Sequence, residues 1–182
     1  MSKTKQIVYS GFFIALGIII PIVFHFVNNF GKMFLPMHIP VLLSGFILGP
    51  YFGLLVGILT PFISSVLTGM PPLFPMALIM VFELGTYGLV SGFLYNKLKQ
   101  NEIISLVSAM VCGRIVSALV VFSLIKTVGI KFPSPTIYIK AATITGIPGI
   151  LIQIIIIPTI IYVLNKNKFI ERGNSLETKR IF

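Results

Sequence analysis

The sequence contains no tryptophan and no aspartate, and its acidic residues number only four. Without aspartate there is no Asp-rich motif for metal-dependent transfer to a lipid. The one cysteine, Cys112, lies in an apolar stretch. It cannot form an internal disulfide and reads as a structural thiol. The two histidines, His25 and His38, have neither Asp nor a nearby Cys beside them, so they make a poor metal site. No metal and no cofactor is expected. A Gly-rich phosphate loop is missing, so the chain does not hydrolyse ATP by itself. Ser64, Ser65 and His38 lack a nucleophile signature, and the chain is not read as an enzyme. No internal repeat is evident, which argues against a self-sufficient inverted-repeat transporter.

Charge is scarce as well. Charged residues make up 10% of the chain, against about 25% in soluble domains. Hydrophobic residues make up 56%, and the mean hydropathy is +1.03. A span needs ~20 apolar residues, so the expected fold class is an all-α integral membrane protein, a six-helix transmembrane bundle. The apolar runs are continuous rather than alternating, which argues against a barrel. The net charge of +10 is spread over loops and tail without interleaved aromatics. It points to membrane topology, not to a nucleic acid.

Residues 1–182 read as one transmembrane domain, with helices at about 7–27, 40–49, 52–67, 74–94, 103–124 and 141–164 and a basic tail at 165–182. The first helix is read as retained rather than cleaved: it is long, holds Pro21 and lacks a small-residue cleavage site. Gly11 and Ala15 give it a small-xxx-small face. Residues 28–38 form an amphipathic loop. Residues 39–67 run without a charge, and as one helix they would be ~43 Å long. Gly49-Pro50 and Gly53 therefore mark a break, with a single kinked span as the alternative. Gly49, Gly53 and Gly57 form a second small-residue stripe. Residues 68–73 and 126–140 are further Pro-containing loops.

Six helices put both termini on one side. Placing that side in the cytoplasm gathers Lys3, Lys5, Lys97, Lys99 and the tail cations there, and leaves Lys32, Lys126, Lys131 and Lys140 outside. On that topology Glu83 lies ~13 Å, Arg114 ~15 Å and Gln153 ~18 Å from the outer ends of their helices. A lone carboxylate at such depth costs roughly 2.5–3.5 kcal/mol on insertion scales, and intramembrane ionisable groups usually mark substrate paths. Arg114 is the first candidate partner for Glu83. Tyr87, four residues on, shares the face of Glu83. One reading has Glu83 and Arg114 pairing to hold helices together. The other has them lining a cavity with Gln153 and hydrogen-bonding a polar ligand. His38 reads as a loop or ligand-capping residue. Asn28, Asn29 and Lys32 read as solvated, although any of them could reach a ligand below the first loop.

The stretches FLPMHIPVLLSGFILGPYFGLLVG, LTGMPPLFPMALIMVFELGTYGLVSG and GRIVSAL look like the substrate-binding (S) components of energy-coupling factor transporters, the vitamin-importing relatives of ABC transporters. The resemblance covers most of the chain. It implies a bacterial cytoplasmic membrane protein whose partners are a transmembrane coupling subunit and two ATPase subunits. The family's Ala-xxx-Ala docking patch on the first helix corresponds here to Gly11 and Ala15, one Ala replaced by Gly. The resemblance also implies an outward pocket under the first, third and fifth connections, lined by helices 4 to 6. Arg114, with Lys32, Lys131 or Lys140 in the loops, would suit a carboxylate-bearing vitamin such as pantothenate. Glu83 and Gln153 would suit hydroxyls or amides. A solitary secondary transporter or channel is the competing function, and a membrane scaffold is a third.

Overall fold

The computed structural model describes residues 1–25, 34–130 and 132–166. Asn28, Asn29, Lys32, Lys131 and the tail beyond Lys166 lie outside the described residues, so the readings placed on them have no structural counterpart. The described residues form helices α1 (Lys3–His25), α2 (His38–Leu48), α3 (Pro50–Thr68), α4 (Leu73–Lys97), α5 (Glu102–Val128) and α6 (Pro135–Lys166). No strand is present among them. All but α2 are long and apolar enough to cross a membrane.

Local chemistry sets the ends. Gly49, at φ 91°, separates α2 from α3, and Pro50 opens α3 at its first helical position, where a missing N–H costs nothing. Left-handed Gly69 and Gly129 close α3 and α5, as helix-ending glycines do. The Asn101 side chain accepts from the Ile103 N–H at 3.4 Å and caps α5. Phe74 is extended (φ −131°, ψ 134°) inside the first turn of α4.

Several boundaries differ from the sequence reading: α1 already begins at Lys3, α2 at His38, and α4 runs on to Lys97. Residues 126–140 are not one loop. Lys126 closes the last turn of α5, where a cation complements the helix dipole, and Lys140 lies inside α6. The tail does not begin at 165 either, since α6 runs to Lys166.

The glycines set the packing. A Cβ on Gly88 of α4 would collide with the Gly53 carbonyl of α3, and one on Gly57 would collide with the Leu84 carbonyl. The α3–α4 contact is therefore backbone on backbone, and Gly45 of α2 meets the Gly88 carbonyl in the same way. Gly49 belongs to the turn rather than to this stripe. Around it, Val41, Leu42, Phe46, Val56, Leu84, Leu106 and Ile157 are buried. Exposed Ile, Leu, Val and Phe side chains cover the outer faces of the long helices, which is the surface a multi-pass protein turns to lipid.

One end of the bundle is tied by polar groups. Gln6 Nε2 donates to the Leu48 carbonyl at 3.1 Å. Asn96 Nδ2 donates to the carbonyls of Gly45 (3.1 Å) and Phe46 (2.9 Å). Asn165 Nδ2 donates to the Tyr95 hydroxyl at 2.8 Å, and that hydroxyl donates to Glu102 Oε1 at 3.4 Å. The beginning of α1 and the end of α6 thus meet the same end of the bundle. Replacing Asn96 by Leu removes the donor from two partly buried carbonyls. It should destabilise the fold by about 1–3 kcal/mol, read as a lowered midpoint in denaturant titration of the detergent-solubilised protein. An unchanged midpoint would mean that these carbonyls are satisfied otherwise.

Candidate functional site

A cluster of charged and polar side chains lies toward the opposite end. Glu83, on α4, is 2% exposed. Its Oε1 is 2.7 Å from Arg114 Nη1 on α5 and accepts the Tyr87 hydroxyl proton at 2.8 Å. The same oxygen is 4.0 Å from His38 Nε2, at the start of α2. One carboxylate oxygen therefore gathers groups from three helices. In water such a pair is worth little. In a buried setting, loss of one partner leaves an uncompensated charge.

Glycine makes the arrangement possible. A Cβ on Gly113 would run into the Tyr87 ring and approach the Glu83 carbonyl to 3.1 Å. Without a side chain there, the ring packs closely against α5 and its hydroxyl reaches Glu83. The His38 ring packs against that of Tyr87, with centroids 5.4 Å apart. Gly146 does the same for α6: Arg114 Nη2 lies 3.8 Å from where its Cβ would be, and Leu35 closes in from the other side.

Beside this cluster is a cavity of about 390 Å³ between α5 and α6. Arg114, Tyr87, His38 and Gln153 all line it. The rest of its wall is mostly aliphatic. Glu83 is not among its lining residues. It sits behind Arg114, whose side chain keeps 16% of its surface exposed against 3% for Glu83. Gln153, on α6, is 1% exposed, and its Nε2 has no hydrogen-bond partner among the described residues. The same holds for Nδ1 of His38, a residue 5% exposed.

Of the residues singled out from sequence, Glu83, Tyr87, Arg114 and His38 come together, and Gln153 faces them across the cavity. His38 is not in a loop but is the first residue of α2. Its amide donates to the Leu35 carbonyl at 3.0 Å. Gly11 and Ala15 are exposed on α1, and a Cβ on Gly11 would meet nothing within 4 Å. Sequence reasoning passed over Leu35, Thr143 and Ile150 in the cavity wall. Leu35 has φ 49°, an uncommon conformation for a residue with a side chain. Thr143, Ile150 and Ile154 share one face of α6 by helical spacing, a signal hidden by the apolar residues on every other face.

Among the described residues, no group of three or more His, Cys, Asp or Glu side chains could hold a metal ion. Neither the curated proteins nor the solved structures contain a match to this chain. The family model for the substrate-specific component of ECF transporters matches residues 5–164. With a buried polar cluster opening on a cavity inside a helical membrane bundle, and a match spanning most of its length, the chain belongs to the ECF transporter substrate-specific components.

Proposed function

We propose that this chain is the membrane-embedded, high-affinity binding subunit of an ECF-type importer for a vitamin or vitamin precursor. The observation that carries this reading is the cavity itself. It is walled by aliphatic side chains and supplied at one side by Arg114, Tyr87, His38 and Gln153. Its volume of about 390 Å³ falls in the range of small-molecule sites, ~300–1,000 Å³. Arg114 presents its remaining N–H groups to a carboxylate-bearing substrate, pantothenate being one of that kind. Glu83 acts from behind by holding Arg114 and Tyr87 in place.

The subunit works with a transmembrane coupling subunit and two ATPases, and binds the former through the exposed Gly11 and Ala15 face of α1. Both termini lie in the cytoplasm of a bacterial cell. The polar ties around Gln6, Asn96 and Asn165 then mark the inner end, with Lys3, Lys5, Lys97 and Lys99 near them. Asn29 and Lys32, in the first outer connection, complete the set of candidate substrate contacts.

The test is reconstitution. The purified chain should bind its substrate with a nanomolar-range Kd, and vesicles should take it up only when the coupling subunit, the ATPases and ATP are all present. Uptake by this chain alone, driven by an ion gradient, would favour a secondary transporter instead. Failure both to bind any solute and to associate with a coupling subunit would refute the S-component reading.

A further inference from the structure

The cavity wall is unfinished on one side. Its α5 members are Val107, Met110, Val111, Arg114 and Ile115. Helices packed on one another bury the residues between them. None of these five is fully buried, and Val107, Val111 and Ile115 are exposed. Elsewhere on α5, Leu106, Ala109 and Gly113 are buried, Gly113 against Tyr87 of α4. Across the cavity, Ile139, Thr143, Ile150 and Ile154 of α6 are only half-buried. Val107, Val111 and Ile115 follow at four-residue steps and form one stripe of α5, ~12 Å long at 1.5 Å per residue. The cavity is therefore a slot along the α5–α6 seam, open sideways. Its α5 wall lies within a helix long and apolar enough to span a membrane, so the opening meets acyl chains rather than water.

Arg114 lines the same slot, and its side chain keeps 16% of its surface exposed. It stands near the middle of α5 (Glu102–Val128), ~18 Å from the start of the helix. A guanidinium bared toward hydrocarbon at that depth is costly. A lipid acyl chain fills the aliphatic part of the slot and leaves the guanidinium unmet. A phospholipid headgroup does not reach it, because headgroups stay at the interface. A free single-chain acid satisfies both parts.

We propose that the α5–α6 seam opens the cavity to the bilayer, and that the substrate is an amphipathic carboxylate with its head at Arg114 and its aliphatic chain along Val107, Val111 and Ile115. The inference rests on the S-component reading and narrows its substrate class. The head supplies Arg114 with an anion beyond Glu83, and the chain completes the α5–α6 contact that the side chains leave open.

The experiment uses the whole chain in phosphatidylcholine nanodiscs with octanoate as probe. Octanoate should raise the melting temperature saturably, whereas methyl octanoate, which has no charge, should not. Affinity should fall about fourfold for each methylene removed on going to hexanoate and butanoate. These measurements need no variant. The sequence has no tryptophan, so one introduced indole reports on its own surroundings. In Val111→Trp, 8-bromooctanoate should quench the indole saturably. In Leu119→Trp, exposed on α5 outside the cavity wall, quenching should be weak and linear, as partitioning into lipid gives. Butanoate stabilising as well as octanoate, methyl octanoate matching the acid, or no response to octanoate overturns this proposal. So does equal quenching at the two positions. Each of these leaves the S-component reading intact when the chain associates with a coupling subunit. A chain that retains no small molecule on gentle purification and does not associate with a coupling subunit overturns both.

Discussion

Glu83→Gln and Arg114→Gln should each destabilise the bundle by about 3–5 kcal/mol, because each leaves a buried charge without its partner. Glu83→Gln strands the Arg114 guanidinium and weakens the acceptor for Tyr87. Arg114→Gln strands a carboxylate that is 2% exposed. The double variant replaces both charges by amides that can hydrogen-bond to each other, so it should cost far less than the sum. The coupling expected in a double-mutant cycle is several kcal/mol, above the 0.5–3 kcal/mol typical of neighbours. Denaturant titration in mixed micelles reads the stability. Additive single effects would mean that the 2.7 Å contact contributes nothing specific.

Binding should separate the two residues in a second way. Arg114 lines the cavity and Glu83 does not. Arg114→Gln should therefore abolish high-affinity binding outright. Glu83→Gln, measured below its melting temperature, should weaken binding through a misplaced Arg114. Comparable weakening by both variants, with folding intact, would put Glu83 in contact with substrate.

The other large effect is expected at Gly88. Its Cβ would fall on the carbonyl of Gly53, and backbone cannot move aside as a side chain can. Gly88→Leu must part α3 from α4, and with them the α4 face that carries Glu83 and Tyr87. Overpacking a well-packed core typically costs 1–3 kcal/mol. Here the obstacle is main chain, so the cost should exceed about 3 kcal/mol. The readout is yield of monodisperse protein and its melting temperature. Gly11→Leu is the control for folding, since nothing lies within 4 Å of that site. If Gly88→Leu melted like the unmodified protein, the close α3–α4 approach would be wrong.

The membrane-spanning class was legible from composition, because a chain with so few charges and so many apolar residues has little other option. The break at Gly49 was legible because the chain between residues 39 and 67 is too long for one span. The pairing of Glu83 with Arg114 was one of two readings left open: depth can be counted in residues, whereas helix rotation cannot. What fixes that rotation is glycine. Gly113 admits the Tyr87 ring, and Gly53 and Gly88 clamp α3 to α4. The cavity wall was hidden for a different reason. In a soluble helix the apolar stripe marks the interior, but in α6 the residues facing lipid and those facing the cavity are equally apolar. Only Gln153 stood out. The sequence places the start of α6 after Lys140 because Lys131, Pro133 and Pro135 mark residues 126–140 as a loop, whereas Pro135 is the first residue of the helix, a position proline favours.

The buried residues of α6 are Gly146, Gly149, Gln153, Ile157 and Ile161. None lies between 135 and 145. The helix is thus built like a cantilever, fixed where Asn165 meets Tyr95 and held more lightly toward the far end, where Tyr138 packs on Phe132 and on the cluster of Ile79, Val121 and Leu124. Pro148, inside the helix, withholds a donor from the Ile144 carbonyl at the point where support begins. Ile139 and Thr143, on the lightly held arm, line the cavity. A bound solute would then be the missing prop beneath that arm, completing a core that the polypeptide leaves unfinished. Saturation at 100 times Kd would contribute about 2.7 kcal/mol to the folded state. Amide exchange should slow most along residues 135–145, the stretch of α6 without a fully buried residue.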